Sequence, residues 1–150
     1  MPEVALHRSR WDDLDPRTLH DLVRLRVDVF VVEQDCAYPE LDGRDVEPST
    51  EHWWVADEAG PASYLRVLAE PDGSRRIGRV LTRQDVRGLG LGARLMDEVL
   101  RVHGDGTLVL DAQAYIQKYY AARGFKATGP EYLDDGIPHV PMRRPPGGTP

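Results

Sequence analysis

The stretch Arg87-Gly88-Leu89-Gly90-Leu91-Gly92-Ala93-Arg94-Leu95-Met96-Asp97-Glu98-Val99 decides the fold. Three glycines at alternate positions predict a tight turn, and the residues after Gly92 favour a helix. The unpaired N–H groups of a first helical turn and the positive end of the helix dipole favour an anion, and glycines let the backbone approach it. The stretch therefore predicts a site for a phosphate or pyrophosphate group.

Two known phosphate-binding motifs fit this stretch. The spacing Arg-x-x-Gly-x-Gly, met by Arg87, Gly90 and Gly92, resembles the acyl-coenzyme A loop of the GNAT N-acetyltransferases. The Rossmann pattern Gly-x-Gly-x-x-Ala also fits, with Asp111 about twenty residues further on. A Rossmann turn follows its strand almost immediately, whereas polar residues 82–85 separate this loop from the preceding apolar run. The roughly 40 residues after Asp111 are also too few for a second nucleotide-binding half. Both observations favour the acyl-coenzyme A loop. A P-loop is excluded because no Gly-Lys-Ser/Thr follows.

A second motif lies downstream. A predicted strand, 107–111, is followed by a predicted helix, 112–123, which Gly124 ends before a strand that begins at Phe125. This order resembles the GNAT segment with the pattern Tyr-x-x-x-Gly-Phe. The resemblance implies that Tyr120 protonates the departing coenzyme A thiolate, with Tyr119 and Tyr115 as alternatives. A tyrosine here that only packs its ring on the sheet remains the other interpretation.

The rest of the chain is similar to one branch of that superfamily. Residues 25–45 match the "Leu-Arg, Val-Phe, Glu-Gln, Tyr, Glu-x-Asp, Asp" pattern of the ElaA-like branch, and segments 52–53 and 135–142 match it as well. The chain departs from the pattern at Gly136, which separates Asp135 from Ile137-Pro138-His139. The resemblance covers about residues 4–144, so the chain is identified as an ElaA-like member of the GNAT superfamily.

The predicted elements agree with that fold. Asp15 and Pro16 predict the start of a helix that runs to about Gln34. Strands are predicted at 4–8, 52–57, 62–68, 76–82, 107–111, 125–132 and 138–144. The order predicts an α/β (α+β) fold, a central mixed and mostly antiparallel sheet with helices on both faces. The resemblance implies one GNAT domain over residues 1–144 and a flexible tail, 145–150.

The resemblance also implies the chemistry. An acetyl group would pass from acetyl-CoA, the co-substrate, to a primary amine of a small-molecule or peptide acceptor. The implied coenzyme-binding residues are Val80, Leu81, Thr82, Arg87, Gly88, Gly90, Gly92 and Ala93. An amine with a reference pKa near 10.4 must lose a proton before it attacks, and the candidate bases are Glu33, His52 and His139. A non-catalytic acyl-CoA-binding module and a dinucleotide-binding protein are the alternatives.

The acidic segment around Glu40, Asp42 and Asp45 allows two further interpretations. Together with His52 and His139 its spacing matches no metal motif, so no metal is predicted. An acidic pocket that binds the acceptor amine fits these carboxylates better.

Composition sets the remaining bounds. The 150 residues suffice for one domain. The net charge of −6 argues against a nucleic-acid surface. A local basic patch that would suit a phosphorylated cofactor is nevertheless predicted from Arg83, Arg87, Arg94, Lys118 and Arg123. The single cysteine, Cys36, excludes an intramolecular disulfide. The sequence contains no signal peptide or membrane-length apolar run, which predicts a cytoplasmic protein without a membrane partner. Exposed strand edges favour a homodimer.

Overall fold

A computed structural model describes residues 4–35 and 39–147 of this chain. Cys36 and half of the predicted tail, residues 148–150, lie outside the described residues. The described part falls into two compact units, Met1–Leu68 with Arg79–Glu98 and Ala69–Gly78 with Val99–Pro150. That the chain is a single domain over residues 1–144 stays a prediction.

The secondary structure follows the predicted order closely. The helices are α1 (Pro16–Arg26), α2 (Leu91–His103) and α3 (Gln117–Ala121). The strands are β1 (Ala5–Arg10), β2 (Glu51–Asp57), β3 (Gly60–Ala69), β4 (Arg75–Thr82), β5 (Leu108–Gln113), β6 (Lys126–Ala127), β7 (Tyr132–Asp134) and β8 (Ile137–Arg144). In the described residues these strands form a mixed sheet. Strands β4 and β5 pair in parallel, whereas β1 with β2, β2 with β3, and β8 with β5, β6 and β7 pair antiparallel. The mixed, mostly antiparallel sheet is therefore confirmed.

Helix α1 begins where the sequence predicts. The Asp15 carboxylate accepts hydrogen bonds from the backbone N–H of Thr18 at 2.9 Å and from its hydroxyl at 2.8 Å, and Pro16 occupies the first helical position. After Arg26 the helix widens into a π-helical segment, Val27–Glu33. Such segments are rare and are frequent at functional sites, and this one carries Glu33 at its end.

The first unit is built on three antiparallel strands. Strand β1 pairs with β2, and β2 pairs with β3. The apolar residues of α1 recur at helical spacing and therefore lie on one face of the helix. That face packs on this sheet. The buried cluster that results consists of Leu22, Leu25, Val29, Trp54, Tyr64 and Leu81.

The second unit is organised around β8. This strand pairs along its length with β5, and its two ends pair with the short strands β6 and β7. Side chains on β5 and β8 alternate between a buried and an accessible face. The buried residues are Leu108, Leu110, Ala112, Val140 and Met142.

Two predicted elements are wrong in their bounds. The predicted helix 112–123 is mostly not α-helical: β5 continues to Gln113, a short 3-10 turn follows, and α3 covers only Gln117–Ala121. The predicted strand 125–132 is split into β6 and the start of β7, because Gly129-Pro130 interrupts it and proline cannot donate to a strand ladder.

The local structure explains why the chain departs from the ElaA-like pattern at Gly136. Asp135 and Gly136 have φ values of 52° and 78° and form the two-residue turn between β7 and β8. Two positive φ values in a two-residue hairpin are typical of a type I′ turn, for which Asp-Gly is a preferred sequence. Gly136 therefore lets the chain turn directly back, and three residues later β8 carries His139.

Candidate functional site

The predicted phosphate loop leads directly into α2. Gly88 and Gly90 have φ values of 82° and 79°, a left-handed conformation that L side chains rarely adopt. The first helical hydrogen bond runs from the Arg94 N–H to the Gly90 carbonyl at 3.0 Å. The N–H groups of the turn before Arg94 have no helical carbonyl to reach, so the loop and helix end have the geometry of an anion site.

The end of β4, which the resemblance assigns to pantetheine binding, is held by side chains. The Ser63 hydroxyl donates to the Leu81 carbonyl at 2.9 Å and lies 3.1 Å from the Thr82 hydroxyl. The Arg87 Nε donates to the Thr82 carbonyl at 3.0 Å. These bonds join the strand end to the phosphate loop within the first unit.

Arg87 also reaches the candidate base Glu33. Its two terminal nitrogens donate to the two carboxylate oxygens of Glu33 at 2.6 Å and 2.8 Å. This bidentate hydrogen bond lowers the pKa of Glu33, because it favours the ionised carboxylate. A carboxylate that is held in this way is a weaker base than a free one.

Two members of the predicted basic patch are paired with carboxylates. Arg83 donates to the carboxylates of Asp57 and Asp85, at 2.6 Å in each case, and Arg87 donates to that of Glu33. Arg123 lies over the ring of Tyr119, with its guanidinium carbon 4.0 Å from the ring centre, and keeps its charge there. The basic patch as a site for a phosphorylated cofactor stays a prediction.

A buried ionic network, which sequence reasoning missed, occupies the acidic segment. It consists of Arg26, Arg66, Arg79, Glu40, Asp42 and Asp45. Arg26 donates to Glu40 at 2.7 Å and to Asp45 at 2.8 Å. Arg66 donates to Asp42 at 2.6 Å. Three positive and three negative side chains balance, so these carboxylates are already paired with arginines, and the acidic amine pocket stays a prediction.

One sequence signal could have indicated this network. Arg26 lies on the same helical stripe as Leu22, Leu25 and Val29, and its side chain is 1% exposed. A charge on an apolar stripe needs a buried partner. Arg79 gives a second structural sign, since it adopts a φ of 53° within β4 and donates its Nε to Glu40 at 2.9 Å.

His52 lies against this network and is not placed as a free base. Its Nε2 donates to the backbone carbonyl of Asp45 at 3.1 Å, since a carbonyl can only accept. Its Nδ1 therefore accepts from the Tyr64 hydroxyl, 2.7 Å away. Both ring nitrogens are used, and burial lowers the pKa of His52.

His52 predicts a pH dependence of stability. Because the fold favours its neutral form, the unfolded chain takes up a proton first as the pH falls below about 6.5, and stability is lost from there downward. We expect wild type to lose more unfolding free energy between pH 7.5 and pH 5.5 than His52→Gln, in urea titrations. His20→Gln is the control, because the His20 side chain is 72% exposed. Equal losses in wild type and His52→Gln would contradict the assignment.

Tyr120 is the buried member of the three candidate tyrosines. It is 4% exposed, whereas Tyr115 is 81% exposed. Its ring makes edge contacts with Tyr119 and Phe125, at centroid distances of 5.1 Å and 5.9 Å. No residue in the described part of the chain hydrogen-bonds its hydroxyl. Burial raises the pKa of Tyr120 to about 12, so the phenol keeps its proton at neutral pH.

His139 is held by its own strand. Its Nδ1 donates to the Ile137 carbonyl at 2.7 Å, which fixes the hydrogen on Nδ1 in the neutral ring and leaves the lone pair on Nε2. Among the residues that the structure describes, Nε2 has no hydrogen-bond partner. The side chain is only partly buried.

The described residues contain neither a metal-binding cluster nor a membrane-spanning helix. No group of three or more His, Cys, Asp or Glu side chains in residues 4–35 and 39–147 is arranged to hold a metal ion. No helix in the same residues has the length and apolar character of a membrane span.

Comparison with known proteins defines the class. The model of the family described as acetyltransferase (GNAT) domain matches residues 19–145. A solved acyl-CoA N-acyltransferase from Pseudomonas aeruginosa is 39% identical, covers 95% of this chain and 99% of its own, and superposes with a TM-score of 0.88. The chain belongs to the GNAT acetyltransferase family.

Two further comparisons narrow this to one branch. Protein ElaA of Escherichia coli is 37% identical over 93% of each chain, and its crystal structure superposes with a TM-score of 0.88 over 95% of this chain and 99% of its own. A UPF0039 protein of Mycobacterium tuberculosis is 49% identical over 148 residues, 96% of this chain and 95% of that protein. Within the family, this chain is ElaA-like.

Proposed function

We propose that this protein is an N-acetyltransferase that moves an acetyl group from acetyl-CoA to a primary amine by direct attack. The observation that carries the proposal is the left-handed turn at Gly88 and Gly90 that leads into the N-terminus of α2. Membership of a family of acyltransferases supports it. The amine forms a bond to the thioester carbon, the carbon–sulfur bond breaks, and coenzyme A leaves as a thiol.

The coenzyme would be held by the phosphate loop and the end of β4. Backbone N–H groups at residues 88–93 would bind the pyrophosphate, since a helix N-terminus favours negative charge. Val80, Leu81 and Thr82 would pair with pantetheine. Arg87 would contribute its charge while it holds the loop to Thr82.

The arrangement favours His139 over Glu33 as the group that takes the proton of the amine. Glu33 is engaged by both terminal nitrogens of Arg87, and its pKa is lowered by that contact. In the neutral ring of His139 the lone pair is on Nε2, because its Nδ1 donates to the Ile137 carbonyl. Glu33 then serves to position Arg87 or to bind the acceptor.

The coenzyme part is tested by thermal stability. A ligand at one hundred times its Kd adds about 2.7 kcal/mol, which corresponds to about 5 to 10 °C in a domain of this size. We expect acetyl-CoA and coenzyme A to raise the Tm, and NAD and ATP to leave it unchanged. A shift with NAD alone would contradict the proposal. An amine screen that follows thiol release then tests transfer, and coenzyme binding without transfer would favour a non-catalytic binding module.

A pair of glycine variants separates loop strain from coenzyme binding. Gly90→Ala and Gly73→Ala each place a side chain at a φ above 75°, where it costs about 1 to 2 kcal/mol, and neither added Cβ meets an atom within 4 Å. Gly73 lies in the turn between β3 and β4, outside the phosphate loop. Both variants should lose similar stability, but only Gly90→Ala should lose the shift with coenzyme A.

A further inference from the structure

The strand register places three polar side chains in one row. Gln113 on β5 lies directly opposite His139 on β8, and His139 lies directly opposite Tyr132 on β7. Directly opposed residues of antiparallel strands have their side chains on the same face of the sheet. This is the accessible face, because the neighbouring residues Ala112 and Val140 are buried on the other. His139 therefore lies between two side chains that can orient it.

Tyr132 contacts the imidazole of His139 directly. The two rings are stacked, with their centres 5.9 Å apart and their planes 28° from parallel. Tyr132 thus restricts the plane of the imidazole ring.

The Asp111 carboxylate on β5 acts electrostatically on Tyr132. Desolvation and Asp111 raise the pKa of Tyr132 to about 12, so its hydroxyl keeps its proton at neutral pH. The Asp111 carboxylate itself accepts a hydrogen bond from the Arg76 Nη1 at 2.7 Å. The side chain of Leu133, the next residue of the hairpin, is on the other face of β7 and is 71% exposed.

We propose that Tyr132 is a positioning residue for His139, and this inference rests on the proposed function. The Ile137 carbonyl holds the hydrogen on Nδ1, and the Tyr132 ring holds the plane, so that Nε2 is kept in one orientation. An N–H bond of the acceptor ammonium breaks, its electron pair stays on the amine nitrogen, and the proton moves to Nε2. The imidazolium keeps its Nδ1 hydrogen bond to Ile137 and later returns the proton to water.

Three variants test this role. Tyr132→Ala removes the ring, Tyr132→Phe keeps the ring and removes the hydroxyl, and Leu133→Ala is the matched control in the same hairpin. We expect Tyr132→Ala to lower kcat about 10-fold or more, because it disturbs a base that contributes about 10²- to 10⁴-fold. The KM for acetyl-CoA should not change. Tyr132→Phe should recover most of kcat, and Leu133→Ala should match wild type.

A spectroscopic measurement makes the test independent of activity. The nitrogen chemical shifts of His139 should report one neutral tautomer, with hydrogen on Nδ1, in wild type, Tyr132→Phe and Leu133→Ala, and a mixture in Tyr132→Ala. Wild-type kcat and a single tautomer in Tyr132→Ala would overturn the inference. If wild type transfers acetyl to no amine, the proposed function fails, and the nitrogen shifts still decide whether Tyr132 orients His139.

Discussion

Tyr120→Phe is expected to lower kcat by about 10²- to 10⁴-fold, with little change in the Kd for coenzyme A. The variant removes the hydroxyl that would donate a proton to the leaving thiolate. It keeps the ring contacts with Tyr119 and Phe125, so the fold should be preserved. The measurement is initial-rate thiol release with an accepted amine, together with a coenzyme A titration.

The proton transfer from Tyr120 is uphill by the reference values. A phenol with a pKa of about 12 gives its proton to a thiolate whose reference pKa is about 8.5 at a cost of about 5 kcal/mol. Burial that raises the pKa of the phenol also raises that of a thiolate brought into the same surroundings, which reduces the difference. We therefore expect the hydroxyl to act first as a hydrogen-bond donor to the sulfur, with transfer completed as the thiol departs.

Tyr119→Phe gives the comparison for this prediction. Tyr119 is the neighbouring phenol, and its ring carries the Arg123 guanidinium. A near-wild-type kcat in Tyr119→Phe and a large loss in Tyr120→Phe would support the assignment. The reverse result would move the role to Tyr119, and an unchanged kcat in both would remove the general-acid step.

The sequence predicted features that depend on local chemistry. The start of α1 follows from Asp15 and Pro16, and the turn before α2 follows from glycines that the chain needs at positive φ. The order of the strands along the chain followed from the alternation of apolar and polar residues and from turn residues. The family resemblance, carried by residues spread over most of the chain, is confirmed by the comparisons.

Features that depend on distant pairing were not predictable in the same way. Residues 112–113 favour a helix by propensity, but β8 pairs with them and extends β5 instead. The ionic network joins Glu40 to Arg79, which is 39 residues away, and no local pattern encodes that contact. The engagement of Glu33 by Arg87 spans 54 residues and changes the role expected for that carboxylate.

Loss of one member of the buried network should strongly destabilise the first unit. Arg26 contacts Glu40 through its Nε at 2.7 Å and through a terminal nitrogen to the Glu40 carbonyl at 3.2 Å. A second terminal nitrogen donates to Asp45 at 2.8 Å, and the guanidinium lies over the Tyr64 ring at 5.5 Å. Burial alone would raise the pKa of Asp45, but Arg26 and Arg66 lower it, so the carboxylate depends on these arginines.

Arg26→Met is therefore expected to cost about 3 to 5 kcal/mol of unfolding free energy, because it leaves buried carboxylates without their main partner. Arg24→Met is the control two residues earlier on the same helix. Its side chain is 72% exposed and pairs with Asp28 at 3.7 Å, a contact worth about 0.5 kcal/mol. Urea unfolding at pH 7.5 measures both variants. A loss below about 1 kcal/mol in Arg26→Met would contradict the prediction. The double variant Arg26→Met with Asp45→Asn should lose less unfolding free energy than the sum of the two single variants. The reason is that Asp45→Asn removes the carboxylate charge that Arg26→Met leaves without its partner.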